Sequence, residues 1–298
     1  MLHFCYSDKY TGKLPGHVFP IEKYEMVYKR LKSEKIITDK NLVEPTIPLR
    51  EELSLIHTDN YLDDLFNFRF THRTYPSELP LNKKILDFFL ITTGGTISAA
   101  KLACNSGLAI NLGGGYHHAF PDRAEGFCYL NDVAISIKLV QKKKLANNVL
   151  IVDCDLHQGN GNAYIFRNNP SVFAFSMHQE NNYPIKQKGD LDIGLDDGTT
   201  DNEYLEYLHK TLPELIEKQK PNLVFYLAGA DPYYNDLLGG LSLTKEGLRK
   251  RDEFVISKSW EKDIPVCIVL AGGYAQDTND VVDIHCNTCY IAKEYSER

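Results

Sequence analysis

The sequence lacks the features typical of membrane-spanning or secreted proteins. No run approaches the ~18 apolar residues of a membrane span. The first residues, 1–6, carry no basic segment and lead directly into polar residues, so we expect no signal peptide. The chain also has fewer basic than acidic residues. It contains 33 Lys and Arg and 40 Asp and Glu, so the formal net charge is −7. This balance argues against direct binding to a nucleic-acid backbone or to an anionic membrane surface.

Several short catalytic and nucleotide-binding motifs are absent as well. The chain contains no GxxxxGK[ST], no HExxH, no GxSxG and no GxGxxG. These absences argue against a P-loop nucleotide site, a Ser-based hydrolase elbow and a dinucleotide-binding fold. Any chemistry has to come from another arrangement of reactive side chains.

Cysteine is sparse and odd in number. The seven cysteines are spread through mostly apolar segments, which is typical of reduced, buried thiols, so we expect a reducing, cytoplasmic location. Cys286 and Cys289 form a single CxxC. Because no second pair accompanies them, we interpret them as neighbours at i and i+3 on a helix rather than as metal ligands.

The length and the apolar content fit one large domain. A chain of 298 residues with 43% apolar residues can bury its own core without a metal or a disulfide staple. We find no internal repeat, low-complexity segment or linker, so residues 1–298 are interpreted as a single domain.

Short apolar runs alternate with helix-like stretches along this domain. Runs with the length and composition of strands are 2–6, 108–111, 149–155, 172–178, 222–228 and 266–271. Helix-like stretches are 21–32, 83–104, 130–143, 202–218, 244–257 and 279–294, with Gly94-Gly95 as a candidate interruption of the second. Strands that are apolar on both faces and alternate with helices predict an α/β fold with a helix-covered parallel sheet.

Four of these strands end in polar or titratable residues. The residues at or just beyond these ends are Asp153, Asp155 and His157; Asp231; Tyr274; and His117 and His118. In open parallel sheets, functional sites lie outside the carboxyl ends of the strands. The sequence therefore predicts one functional site at that edge.

The pattern Asp153-x-Asp155-x-His157 indicates a metal site. Residues two apart project to one face of an extended backbone, so Asp155 and His157 can converge on one ion, with Asp231 joining from a neighbouring strand end. Two carboxylates and one imidazole leave coordination positions open, which is typical of catalytic zinc, and Fe(II) also accepts such donors. The alternative is that the aspartates cap a helix starting near Gly159.

The tandem histidines indicate proton transfer. His117 and His118 follow three glycines, and a carboxylate on the far ring nitrogen would fix a tautomer and raise basicity. Asp153 is available for this, because Asp155 is the better placed ligand. Tyr274 can donate a hydrogen bond to a developing oxyanion. The alternatives are loop histidines at the surface and a packed loop tyrosine. Taken together, the groups predict metal-assisted amide hydrolysis.

Five ordered segments resemble the zinc-dependent histone deacetylase superfamily. They are Gly113–His118, Gly126–Asp132, Asp153–Gly161, Gly229–Asp231 and Gly272–Tyr274. The resemblance spans most of the chain and implies the arginase/deacetylase fold, a three-layer α/β/α domain with a mainly parallel, eight-stranded central sheet.

The resemblance also implies roles for individual residues. It assigns zinc to Asp155, His157 and Asp231, acid–base work to His117 and His118, and carbonyl polarisation to Tyr274. It implies a structural potassium site formed by the Asp153 side chain, by Ser176, and by the carbonyls of Asp155, His157 and Met177. It implies a substrate channel along Gly115, Gly126, Phe127 and Gly272.

Three departures from the class I pattern stand out. Asn160 replaces an aspartate beside the second histidine, and Lys23 replaces a channel arginine; both resemble class IV. No aspartate occurs between Asp64 and Asp87, where class I enzymes clamp the substrate backbone. We expect an acylated lysine in a protein or peptide as substrate. An acylated small amine such as an acetylpolyamine, or a non-catalytic binding role, remains the alternative, and the acyl length and the oligomeric state stay open.

Overall fold

A computed structural model describes residues 1–12 and 14–298 of the chain. The strands within these residues are β1 (His3–Cys5), β2 (Leu42–Val43), β3 (Leu108–Asn111), β4 (Val149–Asp153), β5 (Val172–Gln179), β6 (Leu191–Leu195), β7 (Leu223–Leu227) and β8 (Val266–Val269). The α-helices are α1 (Glu22–Ser33), α2 (Arg50–Leu53), α3 (Asp59–Phe66), α4 (Lys83–Ser106), α5 (Asp132–Lys142), α6 (Asn160–Phe166), α7 (Asp201–Gln219), α8 (Lys245–Trp260) and α9 (Thr278–Ser296). A short 3₁₀ turn covers Tyr75–Ser77.

The eight strands form one sheet in the order β2-β1-β3-β8-β7-β4-β5-β6, and every pairing is parallel. Alternate residues of each central strand enter two separate apolar clusters. In β4, for example, Leu150 and Val152 belong to one cluster and Ile151 to the other. Both faces of the sheet are therefore covered, as the predicted three-layer α/β/α fold requires.

Six of the strands were predicted, whereas β2, β6 and the short helices α2, α3 and α6 were not. The two missed strands are short or half-exposed at the sheet's edges, where the apolar signal is weak. The predicted helices are confirmed to within three residues at each end. Several begin with a side-chain cap, such as Asn82 before α4, Asn131 before α5 and Thr244 before α8.

Gly94-Gly95 does not interrupt α4, which runs unbroken from Lys83 to Ser106. The two glycines instead allow close approach. A Cβ on Gly94 would lie 1.9 Å from the carbonyl oxygen of Thr46, and one on Gly95 would lie 1.9 Å from the hydroxyl of Tyr10. By length and composition α4 is also apolar enough to cross a membrane, but 78% of its most apolar stretch is buried inside the protein.

The four strands predicted to carry functional groups are adjacent at the centre of the sheet, in the order β3-β8-β7-β4. The predicted strand 149–155 is two residues too long, because β4 ends at Asp153. There the chain bends and the N–H of Asp155 donates to Oδ1 of Asp153 at 3.2 Å. Asp155 and His157 therefore enter the site from a bend, not from the extended backbone that we expected.

Candidate metal centre and active site

Asp155, His157 and Asp231 form a buried cluster at the ends of β4 and β7. One ligand atom from each lies within 4.8 Å of the others. Nδ1 of His157 is 3.4 Å from Oδ1 of Asp155 and 3.3 Å from Oδ2 of Asp231. In each carboxylate, the oxygen that points away from His157 accepts a backbone hydrogen bond. The N–H of Gly272 donates to Oδ2 of Asp155, and the N–H of Leu156 donates to Oδ1 of Asp231. The backbone thus holds both carboxylates with one oxygen facing His157.

The charge and bonding of this cluster fit a bound cation. Oδ2 of Asp231 is fully buried and makes no hydrogen bond. Burial opposes a charge on His157, but Asp155 and Asp231 outweigh it and raise the pKa of the imidazole to about 10. Two buried carboxylates therefore draw positive charge to this point. A divalent metal would supply it, and two oxygens with one nitrogen suit zinc or Fe(II).

His117 and His118 lie beside the cluster with different partners. Nδ1 of His117 is 2.8 Å from Oδ2 of Asp153, Nδ1 of His118 is 2.8 Å from Oδ1 of Asn160, and the two Nε2 atoms are 3.1 Å apart. Burial opposes charge on His117, but Asp153 and Asp155 raise its pKa to about 9. Burial and the neighbouring charges of His117 and His157 lower the pKa of His118 well below 6.5. The pair therefore combines a charged and a neutral imidazole.

The loop carrying these histidines is fixed by Asp132, the first residue of α5. Its carboxylate accepts from the N–H groups of Gly115 at 3.0 Å and Tyr116 at 2.7 Å, and from the Thr96 hydroxyl at 2.5 Å. Asp132 is fully buried. This anchor determines where the chain leaves the glycine-rich turn and hence where His117 begins.

Tyr274 follows β8 and faces the same space. Its N–H donates to Oδ2 of Asp236 at 2.7 Å, and its carbonyl accepts from the N–H of Leu237 at 3.1 Å. The ring packs edge-on against Phe127 and His157, with centroids 5.9 and 6.5 Å away. The hydroxyl takes part in no side-chain hydrogen bond of residues 1–12 and 14–298, so it is free to donate to a substrate.

A cavity of about 190 Å³ connects these groups to the surface. Its lining consists of Glu78, His118, Gly126, Phe127, His157, Asn182, Tyr183, Leu238 and Tyr274. A further space of about 20 Å³ is lined by more buried residues, among them Gly115, Gly272 and Asp155. The four predicted channel residues therefore divide into two groups: Gly126 and Phe127 line both spaces, and Gly115 and Gly272 line the inner one. A larger groove of about 810 Å³ lies nearby, but neither the histidine pair nor the metal cluster lines it.

Comparison with known families decides the relationship. The family described as Histone deacetylase domain matches residues 17–289 of this chain. The chain belongs to the histone deacetylase family. Membership supports deacetylase activity, which is a hydrolase reaction, without specifying the substrate.

Individual relatives agree with this assignment. An uncharacterized protein of Picosynechococcus sp. is 40% identical over 283 residues, covering 94% of this chain and 94% of that protein. Histone deacetylase 2 of Arabidopsis thaliana is 33% identical over 293 residues, covering 93% and 76% of the two chains. The crystal structure of the HDA15 HD domain matches with a TM-score of 0.80 at 20% identity, over 97% of this chain and 90% of that one, and so shows the same fold.

Asn160 and Lys23, which depart from the class I deacetylase pattern, both contact elements of the site. Asn160 contacts His118, as described above. Lys23 is fully buried, and its ammonium donates to the carbonyls of Ala271 at 2.8 Å and Gly273 at 3.4 Å. Burial lowers the pKa of Lys23 to about 8, although nearby carboxylates oppose the shift. Lys23 thus braces the glycine turn that leads to Tyr274.

Two long loops of this deacetylase family member contribute residues to the entrance of the cavity. Segment 67–82 contributes Glu78, and segment 180–200 contributes Asn182 and Tyr183. Glu78 has a left-handed backbone with φ of 62°. The N–H of Phe127 donates to Ser77 at 3.0 Å, so the Glu78 turn is tied to the cavity wall.

The predicted monovalent-cation residues lie next to one another. Asp153 and Ser176 are register partners in the pairing of β4 with β5, and the Ser176 hydroxyl is 2.9 Å from Nδ1 of His178. Met177 follows Ser176 in β5 and is fully buried. The potassium site itself stays a prediction.

Sequence reasoning missed four carboxylates that shape this site: Asp132, Asp236, Glu78 and Glu125. Asp132 ends the segment Gly126–Asp132, and its position at the start of an apolar helical run was a usable signal. The other three stand in irregular loops where no periodicity marks them. Their roles depend on which loops meet in space.

Proposed function

We propose that this protein is a metal-dependent deacylase that hydrolyses the amide of an acylated lysine side chain. The observation that carries the proposal is the convergence of three kinds of group around one cavity and the smaller space next to it. His118, His157 and Tyr274 line the cavity, His117 and Asp155 line the smaller space, and Asp231 completes the buried metal cluster with Asp155 and His157. Family membership makes acyl-amide hydrolysis the natural use of this combination.

Asp155, His157 and Asp231 would hold the metal, with zinc as the proposed ion. When bound, such an ion polarises a carbonyl and makes a water molecule more acidic. The buried, unbonded Oδ2 of Asp231 supports this assignment. Potassium near Asp153 and Ser176 is proposed as a structural ion.

The histidines would move the protons. His118 is the neutral member, so its Nε2 accepts a proton from the attacking water as the water oxygen bonds to the amide carbon. The same proton then passes to the amide nitrogen when the carbon–nitrogen bond breaks. His117, held charged by Asp153, stabilises the negative charge that develops beside it. The products are a carboxylic acid and the amine, and the acid then gives its remaining proton to the amine, which leaves a carboxylate and an ammonium group.

Tyr274 would stabilise the oxyanion. Its backbone is fixed by Asp236 and its hydroxyl is unengaged, so the donor is preorganised at little cost. Phe127 opposes the Tyr274 ring and provides an apolar wall for an alkyl chain. The cavity volume of about 190 Å³ accommodates a lysine side chain with a short acyl group.

A second candidate substrate is an acylated small amine. Glu78 favours it, because this carboxylate stands at the cavity mouth in a fixed, left-handed turn. A carboxylate there attracts either a second amino group of a polyamine or the backbone N–H groups of a peptide. The two substrates therefore differ in how strongly they depend on the charge of Glu78.

A hydrolysis panel tests the proposal. Acetyl-, octanoyl- and myristoyl-lysine peptides and acetylpolyamines are incubated with zinc-loaded protein, and amine release is measured. We expect turnover of at least one acyl-lysine peptide, abolished by chelation and by His118→Ala. Glu78→Gln should raise the KM of an acetylpolyamine at least 10-fold and of a neutral peptide less. No turnover of any acyl-lysine peptide would overturn the lysine assignment, and turnover of the polyamine alone would establish the alternative.

A further inference from the structure

Asn160 is held by three hydrogen bonds that together define its amide orientation. Its Oδ1 accepts from the N–H of Gly161 at 3.0 Å and lies 2.8 Å from Nδ1 of His118. Its Nδ2 donates to Oε1 of Glu125 at 2.7 Å. Asn160 is fully buried, so water cannot replace a lost partner without structural change.

Glu125 is the group that allows only one of the two possible orientations of the Asn160 amide. An ionised carboxylate only accepts hydrogen bonds, so the donor nitrogen of Asn160 has to face it. If the amide were reversed, its oxygen would face the carboxylate of Glu125 and its NH₂ group would face the N–H of Gly161. Both contacts would then lack a matching partner, and unpaired buried polar groups are costly.

The amide orientation in turn selects the tautomer of His118. With Oδ1 of Asn160 facing it, Nδ1 of His118 carries the proton and donates. The lone pair of the neutral ring is then on Nε2, which lies 3.1 Å from Nε2 of His117 on the catalytic side. The reversed amide would favour the opposite tautomer, whose Nε2 cannot accept a proton.

Glu125 is itself held in place. Its Oε2 accepts from Nε of Arg123 at 3.3 Å, and the Arg123 guanidinium stacks 3.6 Å above the Phe120 ring. The backbone of Glu125 pairs with Cys128 in both directions around a tight turn. At 19% exposure the Glu125 side chain is mostly shielded. The carboxylate therefore acts on Asn160 from a fixed position.

We propose that Glu125 is a positioning residue that sets the reactive tautomer of His118 through Asn160. The proposal rests on the proposed function for its catalytic meaning. Its structural content, a chain from carboxylate to amide to imidazole, is independent of which substrate is used. Glu125 touches no reacting atom.

The first experiment replaces Glu125 with Gln, which has the same shape but can present either a donor or an acceptor. We expect kcat to fall about 10-fold, as is usual for a lost outer partner of a functional histidine, with KM changed less than threefold. Asp122→Asn is the matched control, because Asp122 also contacts Arg123, at 3.4 Å, but does not touch Asn160. The control should keep wild-type kcat.

The decisive experiment repeats Glu125→Gln in an Asn160→Asp background. There a second carboxylate faces Glu125 at hydrogen-bond distance, and the two like charges repel. A glutamine at position 125 donates to that carboxylate, so the second substitution should raise kcat instead of lowering it. A fall of the same size in both backgrounds would mean that Glu125 acts only on the fold, and would overturn the proposal.

A spectroscopic readout separates this proposal from the proposed function. The ¹⁵N shifts of His118 should show a protonated Nδ1 and an unprotonated Nε2 in the wild type, and a mixture in Glu125→Gln. An unchanged tautomer in that variant would refute the positioning role, whatever the activity. If the wild type hydrolyses no amide but the tautomer shift occurs, the proposed function fails and the role of Glu125 stands.

Discussion

The free hydroxyl of Tyr274 gives the most direct test of the site. Tyr274→Phe removes one oxygen and leaves the ring between Phe127 and His157. The backbone contacts to Asp236 and Leu237 do not involve the hydroxyl. The substitution therefore removes a donor without altering what holds the residue in place.

The expected magnitude follows from this geometry. A preorganised oxyanion donor contributes roughly 3–4 kcal/mol, so kcat should fall about 10²- to 10³-fold. Because the hydroxyl has no hydrogen-bond partner in the described residues, the free energy of unfolding should change by less than about 0.5 kcal/mol. The bound metal should stay the same, since Tyr274 is not among the proposed ligands.

The assay measures kcat and KM on the best acyl-lysine peptide, with thermal melting and metal content on the same preparation. Tyr183→Phe is the matched control, because Tyr183 lines the same cavity but is 40% exposed at its mouth. We expect its effect to be confined to KM. If Tyr274→Phe retained more than a third of wild-type kcat, Tyr274 would be a packing residue and the oxyanion argument would be wrong.

Three further predictions concern metal, acid stability and packing. Asp231→Ala should lose both metal and turnover, because two remaining ligands hold zinc poorly; elemental analysis showing one retained zinc per chain would contradict the ligand assignment. Burial lowers the pKa of His57 to about 4, below the ordinary 6.5, so the stability from its neutral ring is present above pH 6.5 and is lost as pH falls towards 4. That loss amounts to roughly 3 kcal/mol. Urea titrations between pH 4 and 6.5 should show that the free energy of unfolding depends less steeply on pH in His57→Gln than in the wild type, and an equal dependence in both would contradict the assignment to His57. Gly94→Ala should lower stability by roughly 1–3 kcal/mol, although the same change usually stabilises a helix, because the new Cβ meets the Thr46 carbonyl; an unchanged melting temperature would contradict the packing argument.

The sequence by itself determined the fold class and the general location of the site. Strands that are apolar on both faces must be buried on both faces, and that requirement alone predicts a parallel sheet covered by helices. Polar residues at four strand ends can then only meet at the carboxyl edge. The pattern Asp153-x-Asp155-x-His157 with Asp231 likewise indicates a metal site, because carboxylates and imidazoles are metal ligands and the sequence itself gives the type of each residue.

Only the tertiary structure decided how these residues are paired and oriented. Asp132 binds the backbone 16 and 17 residues away, and Glu125 reaches Asn160 35 residues away. Such contacts are made by irregular loops whose paths depend on long-range packing, so no periodicity in the sequence reports them. The same reason applies to Glu78, whose place at the cavity mouth follows from a turn held by backbone bonds to residues 126 and 127. The periodicity of a strand is a local property that can be read from the sequence, whereas a contact between two distant loops has no local sequence pattern.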